Sequence, residues 1–224
     1  MTHTVSHDPD KIYVVFSATP GKLGRTIRKV MGGVYNHVSI SFSPELTPLY
    51  SFARIHENTP LYGGFVEESP LRYVRNGRNS QIKLCEIPLT RRQSMLICRE
   101  LSHIRHSDRR QIYNTFSAAV APLHRNLSIS DSYTCVEFAA KILRNIEQLA
   151  LPDSFLSVTD MEERLAPFVI YEGSILPFCR SASWGEDKFP IKQKKRVYAA
   201  ETAKNLSALT VRRITDRRKK SSKK

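Results

Sequence analysis

Past one short helix near its start, the hydrophobic period of this chain shifts for good near residue 90, and that shift limits the folds open to it. Before it, apart from residues 23–31, apolar residues come in short β-branched and aromatic runs or alternate one for one; after it they recur every three or four positions. Strands first and helices later describe an α+β chain rather than an alternating α/β one. Residues 11–17 (KIYVVFS) read as a buried strand, broken by Thr19-Pro20-Gly21. Residues 23–31 carry apolar side chains at 23, 27, 30 and 31, a short amphipathic helix that Gly32-Gly33 ends. Residues 34–42 (VYNHVSISF) alternate: Val38, Ile40 and Phe42 face one way, and His37, Ser39 and Ser41 the other, which predicts a half-buried strand. A turn over 44–48 and a strand over 49–53 complete a hairpin; residues 63–67 follow a loop, and 80–87 form a further strand.

Helices follow. Residues 91–104 have apolar positions 95, 96, 97, 101 and 104, opened by Thr90 and Gln93 in a capping box. After a polar gap and a stretch of mixed character over 114–123, a helix opens at Cys135 and is expected to run to about Glu147. A short helix falls within 153–166, and 206–214 extends as a basic terminal helix.

The chain has 224 residues, 41% of them hydrophobic, which suits one domain with an appendage. Its net charge of +14 is unevenly placed. Residues 188–224 hold 14 Lys/Arg against 2 acids, +12, and the other 187 residues hold 21 against 19, +2. The expected organisation is a body over 1–187 and a basic tail over 188–224, partly helical or disordered. Such a tail is either a solvated segment or a contact for nucleic acid, anionic lipid or an acidic partner. The N-terminal MTHTVSHDPDKIYVVF lacks a basic segment followed by an apolar run, and no apolar stretch nears the roughly 20 residues that cross a bilayer. The expectation is a cytoplasmic protein with reduced thiols.

Four cysteines are scattered with no CxxC pair, a spacing that suggests neither a zinc site nor a disulfide framework. Cys135 stands apart. In "DSYTCVEFAAKIL", Thr134 to Glu137 is a second capping box, which makes Cys135 the first helical residue. Its sulfur then lies near unpaired amides and the positive end of the helix dipole, and both favour the thiolate. The same amides suit a developing oxyanion. The plainer reading is a small buried hydrophobe, which is also how Cys85, Cys98 and Cys179 read.

A thiolate nucleophile works with an imidazole that takes and returns its proton. His3 and His7 lie in a polar N-terminal stretch, His103 and His106 end a helix among arginines without further ligands at metal spacing, and His56 and His124 follow a strand and a Pro-Leu pair. His37 starts a strand on its polar side. It is either a half-exposed strand residue or a general base held on a rigid sheet.

"NHVSISF", a hairpin, and much later "SYTCVEFAAKIL" together resemble the circularly permuted NlpC-type papain-like superfamily, which includes YiiX-like proteins and lecithin:retinol acyltransferase relatives. The resemblance covers roughly residues 11–150, and it rests on the order histidine strand first, cysteine helix second. It implies an antiparallel sheet packed against the cysteine helix, Cys135 as nucleophile, His37 as base, and a third polar residue orienting the imidazole from the next strand. Ser51, in "LYSFAR", occupies that place, where members carry Glu, His, Asn or Gln. A hydroxyl accepts from the ring N–H but lacks a carboxylate's charge. The alternatives are a third group supplied elsewhere, with His56 and Glu68 in reach, or a weakly active site. "YSFAR" and "GGFVEE" look like marks of a bacterial subgroup. The implied activity is hydrolysis or acyl transfer at an amide or ester, with no cofactor. The competing reading is a catalytically silent domain whose basic tail docks it to nucleic acid or an anionic membrane.

Overall fold

Seven residues of β1, Lys11–Ser17, are buried almost throughout, so the strand has core on both of its faces. In the computed structural model, which describes residues 10–20, 22–75 and 78–221, this strand lies inside a mixed α+β architecture. His3, His7, Gly21 and the last three residues of the basic tail lie outside the described residues. α1 (Lys22–Met31) ends at Gly32, whose φ of 71° is a left-handed stop that glycine adopts without strain. There follow β2 (His37–Ser41), β3 (Leu49–Arg54), β4 (Gly63–Glu68), the small ribbon β5 (Val74–Arg75) and β6 (Arg78–Asn79), and β7 (Gln81–Pro88). Next are α2 (Arg91–Arg105), β8 (Ile112–Tyr113), α3 (Thr115–Val120), β9 (Ser132–Tyr133) and α4 (Cys135–Leu143). The chain closes with α5 (Val158–Arg164), β10 (Val169–Ser174), α6 (Leu176–Cys179) and α7 (Lys195–Ser221).

Apart from the β5–β6 ribbon, the described strands form an eight-stranded sheet in the order β10-β7-β1-β2-β3-β4-β8-β9, antiparallel except for the β8–β9 pair. One face packs on α2, α4 and α5 through Ile12, Val14, Phe16, Val38, Ile40 and Phe52 against Ile97, Phe138, Ile142 and Met161. Burying a side chain such as Phe138 contributes roughly 1.5–3 kcal/mol. The other face carries Tyr13, Val15, Leu49 and Leu84 under Leu46, Tyr73 and Ile175. That second layer corrects the half-buried expectation for β2: all five of its residues are buried, because Tyr73 and Glu68 cover the polar side as α4 covers the apolar one.

The sequence-predicted elements differ from the observed ones mainly at their ends. α2 keeps its capping box but buries Ile97, Leu101 and Ile104 and leaves Met95 and Leu96 exposed. α4 stops at Leu143, and a separate 3-10 turn takes residues 147–149. The terminal helix is 27 residues long and docked. Leu209 packs on Ile112 and Ile129, and Arg212 donates to the carbonyls of Arg110 and Asp131. Among the described residues no helix is long and apolar enough to cross a membrane.

Candidate functional site

Cys135 is the first residue of α4, and the local sequence places it there. The Thr134 hydroxyl accepts the Glu137 amide at 3.3 Å, and the Glu137 carboxylate accepts the Thr134 amide at 2.7 Å. Phe138 N–H makes the first intrahelical bond, to Thr134. The Cys135 and Val136 amides precede it, at the positive end of the helix. Burial raises the Glu137 pKa, against the opposing pull of its bonds to Thr134 and Ser117.

His37 opens β2 at the end of the sheet and is 7% exposed; Cys135 is 6% exposed. The Cys135 sulfur is near enough to act on the charge of the ring. The ring's Nε2 lies 3.2 Å from both oxygens of Glu68 and 3.2 Å from the Ser39 hydroxyl, which leaves Nδ1 as the nitrogen for the sulfur. Burial opposes charge on the ring. The Glu68 carboxylate, followed by the Cys135 sulfur, outweighs it and raises the His37 pKa.

Glu68 is the end of β4 and is itself fully enclosed. It accepts from Tyr73 Oη at 2.6 Å, from Ser39 Oγ at 2.8 Å and from Arg72 Nη1 at 3.5 Å. Burial would raise its pKa, but the His37 charge and hydrogen bond, with Arg72 and Tyr73 behind them, pull it down to about 2. Arg72 in turn makes a two-pronged bond to Asp187, whose oxygens also accept the Ser69 and Phe189 amides. The result is one continuous buried line, His37–Glu68–Arg72–Asp187, with Cys135 acting on its His37 end.

Ser51 is not in that line. It is buried on the same face of the sheet, but its hydroxyl donates to the Val38 carbonyl at 2.8 Å, so the group on His37 is Glu68. Pairing explains the difference: Ser51 stands opposite Val66, and Glu68 opposite Leu49, with β3 between β2 and β4. The twist and coil of the sheet bring the end of β4 over the start of β2. His56 is held elsewhere, its Nδ1 donating to the Lys188 carbonyl at 2.9 Å and its Nε2 accepting from Gln193. His106 bonds within its own helix, and among the described residues no three His, Cys, Asp or Glu side chains are grouped to hold a metal. Cys85 is sealed in the core, where burial pushes its thiol up to about 12, and burial also raises the thiol of Cys179.

Sequence reasoning missed Ser39, Arg72, Tyr73, Tyr113 and Asp187. Burial comes first in raising the Tyr113 pKa, the charge of Cys135 comes next, and Arg54 opposes both. This phenol therefore stays protonated. The glycines of "GGFVEE" admit it: a Cβ on Gly63 would lie 2.6 Å from the Ala53 carbonyl and 2.9 Å from Tyr113 Cβ, and one on Gly64 would strike the Gln111 carbonyl. A cavity of about 60 Å³ opens on His37 and is also lined by Thr19, Pro20, Arg54, Arg72 and Phe189. An apolar recess of about 210 Å³ between α1, α3 and residues 155–158 borders Thr134 and Val136.

Compared with protein-family models, with curated proteins and with solved structures, the chain gives no match.

Proposed function

We propose that the chain is a thiol-dependent hydrolase or acyltransferase that cleaves an amide or ester through Cys135, His37 and Glu68, on a circularly permuted papain-like fold. The observation that carries this reading is the buried pairing of His37 with an ionised carboxylate, Glu68, beside a buried cysteine at a helix start. The chain order, histidine strand before cysteine helix with the sheet packed on that helix, supports the fold assignment.

In this mechanism His37 takes the Cys135 proton, and the sulfur attacks the carbonyl carbon. The charge that develops on the carbonyl oxygen meets the amides at the α4 start. The imidazolium, steadied by Glu68, gives its proton to the leaving nitrogen or oxygen as that bond breaks, which leaves a thioester on Cys135. Water or a second nucleophile loses a proton to His37, adds to the thioester and expels the thiolate.

The competing reading, a silent domain docked by its basic tail, would be favoured by a serine as the partner of His37. The carboxylate on the ring removes that support, and Arg212 and Arg213 of α7 are engaged with carbonyls of the body.

Alkylation with iodoacetamide at about pH 6, where an ordinary thiol is protonated, tests the proposal. Peptide mapping is expected to find Cys135 labelled at least about tenfold faster than a free thiol, and the excess lost in His37→Ala. Labelling of Cys135 only on unfolding would reduce it to packing.

A further inference from the structure

The Arg72 guanidinium stands between two buried carboxylates and is not shared evenly by them. Its Nε and Nη2 donate to the two oxygens of Asp187. Its Nη1 donates to the Arg54 carbonyl at 2.9 Å and reaches Glu68 only at 3.5 Å. Glu68 lies nearer to the imidazole, 3.2 Å from the His37 Nε2. Asp187 is fixed in its turn by the amides of Ser69 at 2.8 Å and Phe189 at 2.9 Å. The Phe189 ring lies 4.7 Å from the guanidinium carbon of Arg72 and walls the His37 cavity. Solvent screens these charges little, because all three of Glu68, Arg72 and Asp187 are buried.

That division of bonds bears on His37. A guanidinium is charged at every relevant pH, and its fork of donors matches a carboxylate. With the fork open, Arg72 would have one buried anion to turn to, Glu68, and a two-pronged pair between them would draw the carboxylate off the imidazole. Asp187 fills the Nε–Nη2 edge of the fork, which leaves Arg72 a single long contact with Glu68.

We propose that Asp187 is a positioning residue for the His37–Glu68 pair: by occupying the Arg72 fork it keeps that cation from capturing Glu68 and leaves the carboxylate facing the imidazole. The proposal rests on the reading of His37 as the base and Glu68 as its partner.

The test is an NMR titration of the His37 imidazole in the full chain, run beside the pH profile of iodoacetamide labelling at Cys135. The other titratable or charged groups around His37 are Cys135, Tyr73, whose ring centre is 6.2 Å away, and Arg54 in the cavity wall, and they are the same in every variant. In Asp187→Asn the His37 pKa is expected to fall by about one unit or more, and labelling at about pH 6 to slow about tenfold. Adding Arg72→Gln to Asp187→Asn removes the competing cation and is expected to return the His37 pKa to the wild-type value or above. A purely structural Asp187 would lower stability and leave the His37 pKa in place, and that result overturns the proposal. A double variant that stays as low as Asp187→Asn overturns it too, since the effect would not run through Arg72. An ordinary His37 pKa in wild type overturns both the proposal and the reading beneath it. A raised pKa with slow labelling overturns only Cys135 as nucleophile, and the titration still decides Asp187. Should Asp187→Asn fail to fold, Arg72→Lys keeps the charge and loses the fork. Its ammonium is then free to pair with Glu68, and the His37 pKa is expected to fall by about half a unit or more; an unchanged value overturns the proposal.

Discussion

Glu68 and Ser51 sit on the same face of the sheet, and their neighbours assign them different work. The Glu68 carboxylate touches the imidazole, and the Ser51 hydroxyl ties β3 to β2. Glu68→Gln keeps the size and loses the charge that outweighs burial of the ring. The His37 pKa is then expected to fall, read by NMR titration of the imidazole, and labelling of Cys135 at about pH 6 to slow by about tenfold or more. Ser51→Ala is expected to leave labelling within about twofold and to cost about 1 kcal/mol of stability, the worth of one buried hydrogen bond to a carbonyl left behind. If Ser51→Ala slowed labelling as much as Glu68→Gln, the assignment of the third group would be reversed.

At the scale of the element, the start of α4 does two jobs with four residues. Thr134 and Glu137 close the capping box, and in doing so they set which amides face outward beside the sulfur. Thr134→Ala is expected to destabilise the protein by about 1 kcal/mol in urea unfolding, with Thr134→Ser close to wild type. Labelling of Cys135 should slow in the alanine variant alone. A stability loss with unchanged labelling would mean that the cap supports the helix but not the site. β4 shows a similar economy: its paired glycines let β8 approach closely enough for Tyr113 Cβ to lie against Gly63.

Across the whole molecule, the buried charges couple distant segments. Asp187, far along the chain, holds Arg72, which faces Glu68. Removing one partner of a buried pair strands the other, so Asp187→Asn is expected to cost about 3–5 kcal/mol, measured by equilibrium unfolding near neutral pH. A loss under about 1 kcal/mol would show that water reaches Arg72. The pH dependence follows from the two shifted groups. The folded Glu68 pKa, about 2, lies below its ordinary 4.5, so its contribution is full above the ordinary value and is lost as pH falls from there through about 2. The folded His37 pKa is raised, so its contribution is full below the ordinary 6.5 and is lost as pH climbs through the folded value. Stability is therefore expected to decline toward acid over the Glu68 window, and Glu68→Gln to flatten that decline.

The capping boxes at Thr90 and Thr134 and the strand Lys11–Ser17 were legible in the sequence, and the Cys135–His37 pairing was an expectation drawn from it. The first three depend on hydrogen bonds and side-chain periods within a few residues, which the chain carries with it wherever it folds. The pairing was expected from the helix-start cysteine, the strand histidine and a resemblance in motif order. β10 was not, because it is an edge strand bonded on one side to β7, with no buried face long enough to alternate. The length of α7 was written in propensity rather than period: residues 195–221 hold Ala, Lys, Arg and Glu with no proline or glycine. What tertiary structure alone decided is the company of His37. Glu68 is 31 residues away on a strand that is not adjacent to β2, and Asp187 lies 115 residues from Arg72. No local pattern encodes such contacts, because they exist only once the coiled sheet has removed these charges from water and left them to face opposite charges from distant parts of the chain.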